Sequence, residues 1–177
     1  MPGDKVYLVG PMGAGKSTVA RLLAPRLQAG VVDLDAEIED AFGRSIPELF
    51  AEHGESGFRD REERVLAEVA QRPGPLVVAT GGGVILRDAN RRVMAASGTM
   101  VYLHADVDTL LARTAGSANR PLLQVADPRA KLAALQAERD PLYREAAILV
   151  EGAESSPAEV AEEILHRLAD AGDTPVE

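Results

Sequence analysis

The chain of 177 residues has no cysteine and no tryptophan, and only three phenylalanines and three tyrosines. Without cysteine, disulfides and thiolate metal sites are excluded, which fits a cytoplasmic location. With aromatic residues at 3%, the core has to be built from Val, Leu, Ile and Ala. Positive charge is also scarce: 19 Lys and Arg stand against 28 Asp and Glu, a net charge of −9. That balance argues against a nucleic-acid partner or a basic membrane patch. An anionic ligand must then be held by a few placed arginines rather than by a general field. No apolar run approaches the roughly 20 residues of a membrane span. The N-terminus runs almost directly into an apolar stretch, so no signal peptide is expected. The three histidines, His53, His104 and His166, are too scattered to suggest a zinc site.

What the chain does have is Gly10-Pro11-Met12-Gly13-Ala14-Gly15-Lys16-Ser17-Thr18. It fits the phosphate-loop pattern G-x-x-x-x-G-K-[ST] at Gly10, Gly15, Lys16 and Ser17. Lys5 to Val9 before it reads as a short apolar strand. Ser17 to Leu27 after it reads as a helix, with Val19, Leu22, Leu23 and Leu27 at helical spacing. Glycines let the backbone curl round a phosphate, and the helix start adds inward N–H groups and a positive dipole end. Lys16 is expected over the transferred phosphate and the Ser17 hydroxyl on a magnesium ion.

Strands and helices alternate along the rest. Strands are expected at Val31–Asp33, Leu76–Ala79, Thr99–His104 and Ile148–Val150. Helices are expected over Ala36–Phe42, Glu55 to about Gln71, Arg87–Ala96, Asp106–Thr114, Pro128 to about Ala146 and Pro157 to about Ala169. Ser45 can cap a further helix carrying Ile46, Leu49 and Phe50, with Glu48 completing a capping box and Gly54 ending it. Five short apolar strands separated by helices predict an α/β fold with a five-stranded parallel sheet covered on both faces. Ligands of such sheets collect at the carboxyl ends of the strands, where this chain carries the phosphate loop, Asp33-Leu34-Asp35 and Gly81-Gly82-Gly83.

Each of these further features has a plainer reading. Of Asp33 and Asp35, one can support a magnesium shell and the other accept from a substrate hydroxyl, or Asp35 can merely cap the next helix. The three glycines can be a flexible turn, or can admit a ligand to bare backbone. Phe58 to Arg64 is densely charged and can be a solvated helix face with i,i+4 pairs. Arg120 and Arg139, taken alone, are surface arginines. Taken together the odds change. The phosphate loop, Asp33-x-Asp35, Phe58-Arg59-x-x-Glu62, Gly81-Gly82-Gly83, Arg120-Pro121-Leu122-Leu123 and Arg139-x-Pro141-x-Tyr143 resemble the shikimate kinase family in order and spacing from Lys5 to about Leu168.

The resemblance implies an enzyme that moves the γ-phosphate of ATP to the 3-hydroxyl of shikimate, with Mg2+ as cofactor; a monomer is expected. It implies one P-loop kinase domain over residues 1–171, with a mobile lid at about 114–127 and a disordered tail over 172–177. Gly13, Ala14, Gly15, Lys16, Ser17, Thr18, Arg113 and Arg120 would bind ATP. Asp35, Arg59, Gly81, Gly82, Gly83 and Arg139 would bind shikimate, with the two arginines on its carboxylate. Ser17, and Asp33 through water, would serve the metal. Lys16, Asp35 and Arg120 would be catalytic, Arg120 reaching the phosphates from the lid. Phe50 and Phe58 would wall the ring's pocket. The chain departs from the pattern at Gly152-Ala153-Glu154-Ser155-Ser156, where some members carry a basic residue, and at Ala112, where a second arginine can occur. A kinase of similar fold acting on gluconate would not need two arginines beside a triple glycine. A nucleotide-dependent switch would be expected to carry N-K-x-D, which is absent.

Overall fold

The computed structural model describes residues 3–115, 121–152 and 155–172. Its centre is a parallel sheet of five strands, β1 (Lys5–Val9), β2 (Gly30–Asp33), β3 (Leu76–Ala79), β4 (Gly98–His104) and β5 (Ile148–Glu151), in the order β2-β3-β1-β4-β5. The register sets Tyr7 beside Val78 and Met100, and Leu8 beside Ala79 and Val101. Successive side chains of a strand face opposite ways, and both faces of a parallel sheet are covered. Val6, Leu8, Val77, Val101 and Leu103 therefore face one core, and Tyr7, Val9, Val78, Met100 and Tyr102 the other.

Among the described residues, seven α-helices supply the cover. The first core takes in α1 (Lys16–Arg26), α5 (Val107–Thr114), the start of α6 (Pro128–Ala146) and α7 (Pro157–Gly172). The second takes in α2 (Leu34–Phe42), α3 (Ile46–Ala70), α4 (Asp88–Ser97) and the far end of α6. The expected capping box is present: Glu48 N–H donates to Ser45 Oγ at 3.3 Å, and Ser45 N–H to Glu48 Oε2 at 2.8 Å. Helix α3 runs through the expected stop, but Gly54 inside it has φ 68° and ψ −178°, a conformation open almost only to glycine. The two predicted helices are thus halves of one kinked element.

Thr114 is the buried last residue of α5, where the helix was expected to end, its hydroxyl donating to Leu110 O at 2.8 Å. Within the expected lid, Pro121–Leu123 forms a 3-10 turn with Leu123 buried. One expectation needs correction: Gly172, assigned to the tail, ends α7. Residues 173–177 and the remainder of the expected lid at 116–120 lie outside the described residues.

Candidate active site

The phosphate loop joins β1 to α1 at the carboxyl edge of the sheet. Lys16 is bent back over it, Nζ donating to Gly10 O at 2.6 Å and Pro11 O at 2.9 Å. Ser17 Oγ donates to Asp33 Oδ2 at 3.1 Å, tying the start of α1 to the end of β2. Asp33 Oδ1 accepts from Ala36 N–H at 3.3 Å, so the cap of α2 is Asp33. The plainer reading of Asp35 as a helix cap therefore fails. Asp35 lies in the first turn of α2, with Oδ1 3.1 Å from where a Gly81 Cβ would be. Arg113, in the last turn of α5, donates to Gly13 O at 3.2 Å and closes the loop from the other side. These groups line a cavity of about 470 Å³ that also takes in Thr18, Gly81 and Gly82.

A second, smaller cavity of about 50 Å³ adjoins it and shares Asp35, Ile46, Gly81 and Gly82 as walls. Two members of the charged run on α3 turn inward here, Arg59 at 7% exposed and Glu62 at 0%, while Asp60 and Arg64 stay exposed. Arg59 Nη1 donates to Glu62 Oε1 at 3.0 Å. Arg139 of α6, 3% exposed, faces them across the glycines. The glycines are needed because their neighbours come too close for side chains. A Cβ on Gly83 would fall inside the Arg59 guanidinium, and one on Gly82 would lie 3.3 Å from Arg139 Nη1. Phe50 and Phe58, ring centroids 4.6 Å apart, form the apolar wall. Pro121 and Leu122 line the same cavity.

Three buried polar atoms around this cavity, Arg59 Nε, Arg139 Nε and Glu62 Oε2, have no hydrogen-bond partner among the described residues. Buried polar groups are normally satisfied, so orphaned donors at a cavity mark a place for a polar ligand. Burial holds the Glu62 carboxyl above the ordinary glutamate value, against the pull of Arg59; Asp35 raises it further. Two guanidinium forks beside bare backbone suit a planar carboxylate.

A family profile described as shikimate kinase matches residues 12–169. The chain belongs to the shikimate kinase family. A shikimate kinase of Pseudomonas aeruginosa is 53% identical over 164 residues, covering 92% of this chain and 95% of that protein. Among solved structures, a shikimate kinase from Acinetobacter baumannii in complex with shikimate is 44% identical with a TM-score of 0.93, covering 97% of this chain and 96% of that one. A gluconokinase from Sinorhizobium meliloti, 20% identical with a TM-score of 0.62, shares the fold.

Of the residues expected in a shikimate kinase site, Gly13, Ala14, Gly15, Lys16, Ser17, Thr18, Asp33 and Arg113 gather at the phosphate loop or its cavity. Asp35, Arg59, Gly81, Gly82, Gly83 and Arg139 line the smaller cavity. Arg120 lies outside the described residues. Two contributors had no role assigned from sequence. Glu62 was disguised by a run of charges whose buried face letters alone do not reveal. Tyr143, whose hydroxyl donates to Gly82 O, is marked in the sequence by the Arg139-x-Pro141-x-Tyr143 motif, which gives it no role of its own.

Proposed function

We propose that this shikimate kinase family member transfers the γ-phosphate of ATP to the 3-hydroxyl of shikimate, giving shikimate 3-phosphate and ADP on the way to chorismate and the aromatic amino acids. One observation carries the reading: two buried arginines flank a side-chain-free loop in a cavity that shares Asp35 with the phosphate-loop cavity. A rigid carboxylate held by Arg59 and Arg139 would present its hydroxyls to Asp35, and Asp35 aligns the attacking oxygen. Lys16 would leave the loop carbonyls for the phosphates, and Arg120, assigned from its Arg-Pro-Leu-Leu setting, adds charge there. Phosphoryl transfer asks mainly for such alignment and charge stabilisation.

The hard oxygen donors Ser17 Oγ and Asp33 Oδ2, 3.1 Å apart beside the loop, fit a magnesium ion, with Asp33 acting through water. Bound there, the ion would neutralise charge developing on the phosphates. The net charge of −9 supports action on small molecules apart from nucleic acid and membranes, and the lack of cysteine supports a cytoplasmic location. Among the described residues the exposed large apolar side chains are Leu22, Val31 and Val125, a scatter that supports a monomer. None of the described helices is long and apolar enough to cross a membrane. The test is ADP release with shikimate, with gluconate and with no acceptor, side by side. Release that rises only with shikimate is expected; release indifferent to shikimate would refute the reading.

A further inference from the structure

Two of the three tyrosines stand together behind the glycine loop. Tyr143 has no exposed surface, and its hydroxyl donates to the carbonyl of Gly82. Its ring is stacked on that of Tyr102, centroids 4.6 Å apart and planes inclined by 25°. Tyr102 is itself fixed, donating to Asp140 Oδ1 at 2.7 Å and accepting from Gln136 Nε2 at 3.1 Å. Arg139 lies four residues before Tyr143 on α6, so both side chains share a face. That face meets Gly82 twice, with the guanidinium and with the phenol.

A peptide between two glycines can rotate at little steric cost, and nothing in their own chemistry selects one orientation. In a trans peptide the carbonyl and the following N–H point opposite ways. Anchoring Gly82 O on a buried phenol therefore turns the Gly83 N–H away from the tyrosine. We propose that Tyr143 is a positioning residue for the acidic substrate: its hydroxyl locks the Gly82–Gly83 peptide so that the Gly83 N–H joins Arg59 and Arg139 in receiving the carboxylate. This rests on the shikimate reading above. Burial pushes the Tyr143 phenol well above the ordinary tyrosine value, so the hydroxyl stays a donor throughout the physiological range.

Tyr143→Phe keeps the ring and its stack and removes the hydroxyl, which donates to Gly82 O and also accepts from the Arg139 side chain. The KM for shikimate is expected to rise roughly three- to tenfold, as for loss of one hydrogen bond, with the KM for ATP unchanged. Against a shikimate analogue lacking the carboxylate, the same variant should behave as the wild type. Tyr102→Phe, which deletes the hydroxyl behind the stack but leaves the bond to Gly82, should leave the shikimate KM alone. Equal rises in both KM values, or an equal effect of Tyr102→Phe, would assign the pair to packing and overturn the proposal. The wild-type control separates the two claims. If wild-type turnover depends on shikimate and Tyr143→Phe matches it, only the role of Tyr143 falls; if wild-type turnover ignores shikimate, the functional reading falls with it.

Discussion

A carboxylate without exposed surface is costly to ionise, and Glu62 carries that cost beside the arginine it orients. In the unfolded chain it titrates near 4.5, and in the folded protein higher. Between those values the folded state holds the extra proton. The stability this group contributes is thus complete below about 4.5 and is lost as the pH rises through the folded value. Glu62→Gln removes that limb, so its stability relative to wild type should improve as the pH is raised from about 4 toward 7, as read by urea melts at several pH values. A difference that stays constant with pH would contradict the shifted titration. The same change keeps one acceptor oxygen for Arg59 but removes its charge and puts an NH2 donor in place of the other oxygen, and should raise the shikimate KM. Arg139→Lys keeps the charge but loses the planar fork, and should raise the shikimate KM more than the ATP KM. Asp35→Asn should lower kcat by about a hundredfold or more if the carboxylate aligns the attacking hydroxyl. Because the cap of α2 is Asp33, the melting temperature should hardly move.

At the scale of elements, the kink at Gly54 divides α3 into a half bearing Ile46 and Phe50 and a half bearing Phe58, Arg59 and Glu62. All five line the smaller cavity, so the kink angle sets its width. Gly54→Ala meets no neighbouring atom, yet forces a side chain into a glycine-only conformation. It should cost on the order of 1–3 kcal/mol and raise the shikimate KM with the ATP KM unchanged. Thermal melts and both KM values check it; an unaltered protein would mean that the kink carries no constraint. A break at Gly54 was legible in sequence, though as a helix end and not as a kink within one helix; all five strands and the Ser45–Glu48 box were legible too, because glycine, capping residues and short apolar runs act locally. The 3-10 turn at Val84–Leu86 was not legible. Its letters read as plain apolar chain, and the groups that hold it lie on α4, where Asn90 donates to Val84 O at 3.1 Å and Arg91 to Ile85 O at 2.7 Å. Nor did letters point to Asp33 as the cap: the reading from sequence offers only Asp35 for that task. Both side chains suit the task, and backbone geometry chooses.

In the whole molecule, the strand order brings the ends of β1, β2 and β3 side by side, which is why three motifs far apart in sequence meet at one edge. That convergence followed from the alternating pattern, whereas the inward turn of Arg59 and Glu62 on α3 depended on packing that no local pattern records. A ligand that binds only the folded state stabilises it, by about 2.7 kcal/mol at one hundred times its dissociation constant. ATP with magnesium should therefore raise the melting temperature by roughly 5–10 °C, at about 2–4 °C per kcal/mol for a chain of this size. Lys16→Ala should abolish most of that rise, and an undiminished shift in the variant would remove Lys16 from the phosphates. The two cavities, moreover, meet at a common wall: Asp35, Ile46, Gly81 and Gly82 belong to both. A single inhibitor joining a cyclic carboxylate to an oligophosphate mimic would need almost no tether to occupy both. Its second half would bind as an intramolecular event, at the millimolar or higher effective concentration of a short link. The common wall thus makes this fold a natural target for bisubstrate compounds, whose gain in affinity over either half alone would measure how closely the chemistry is confined.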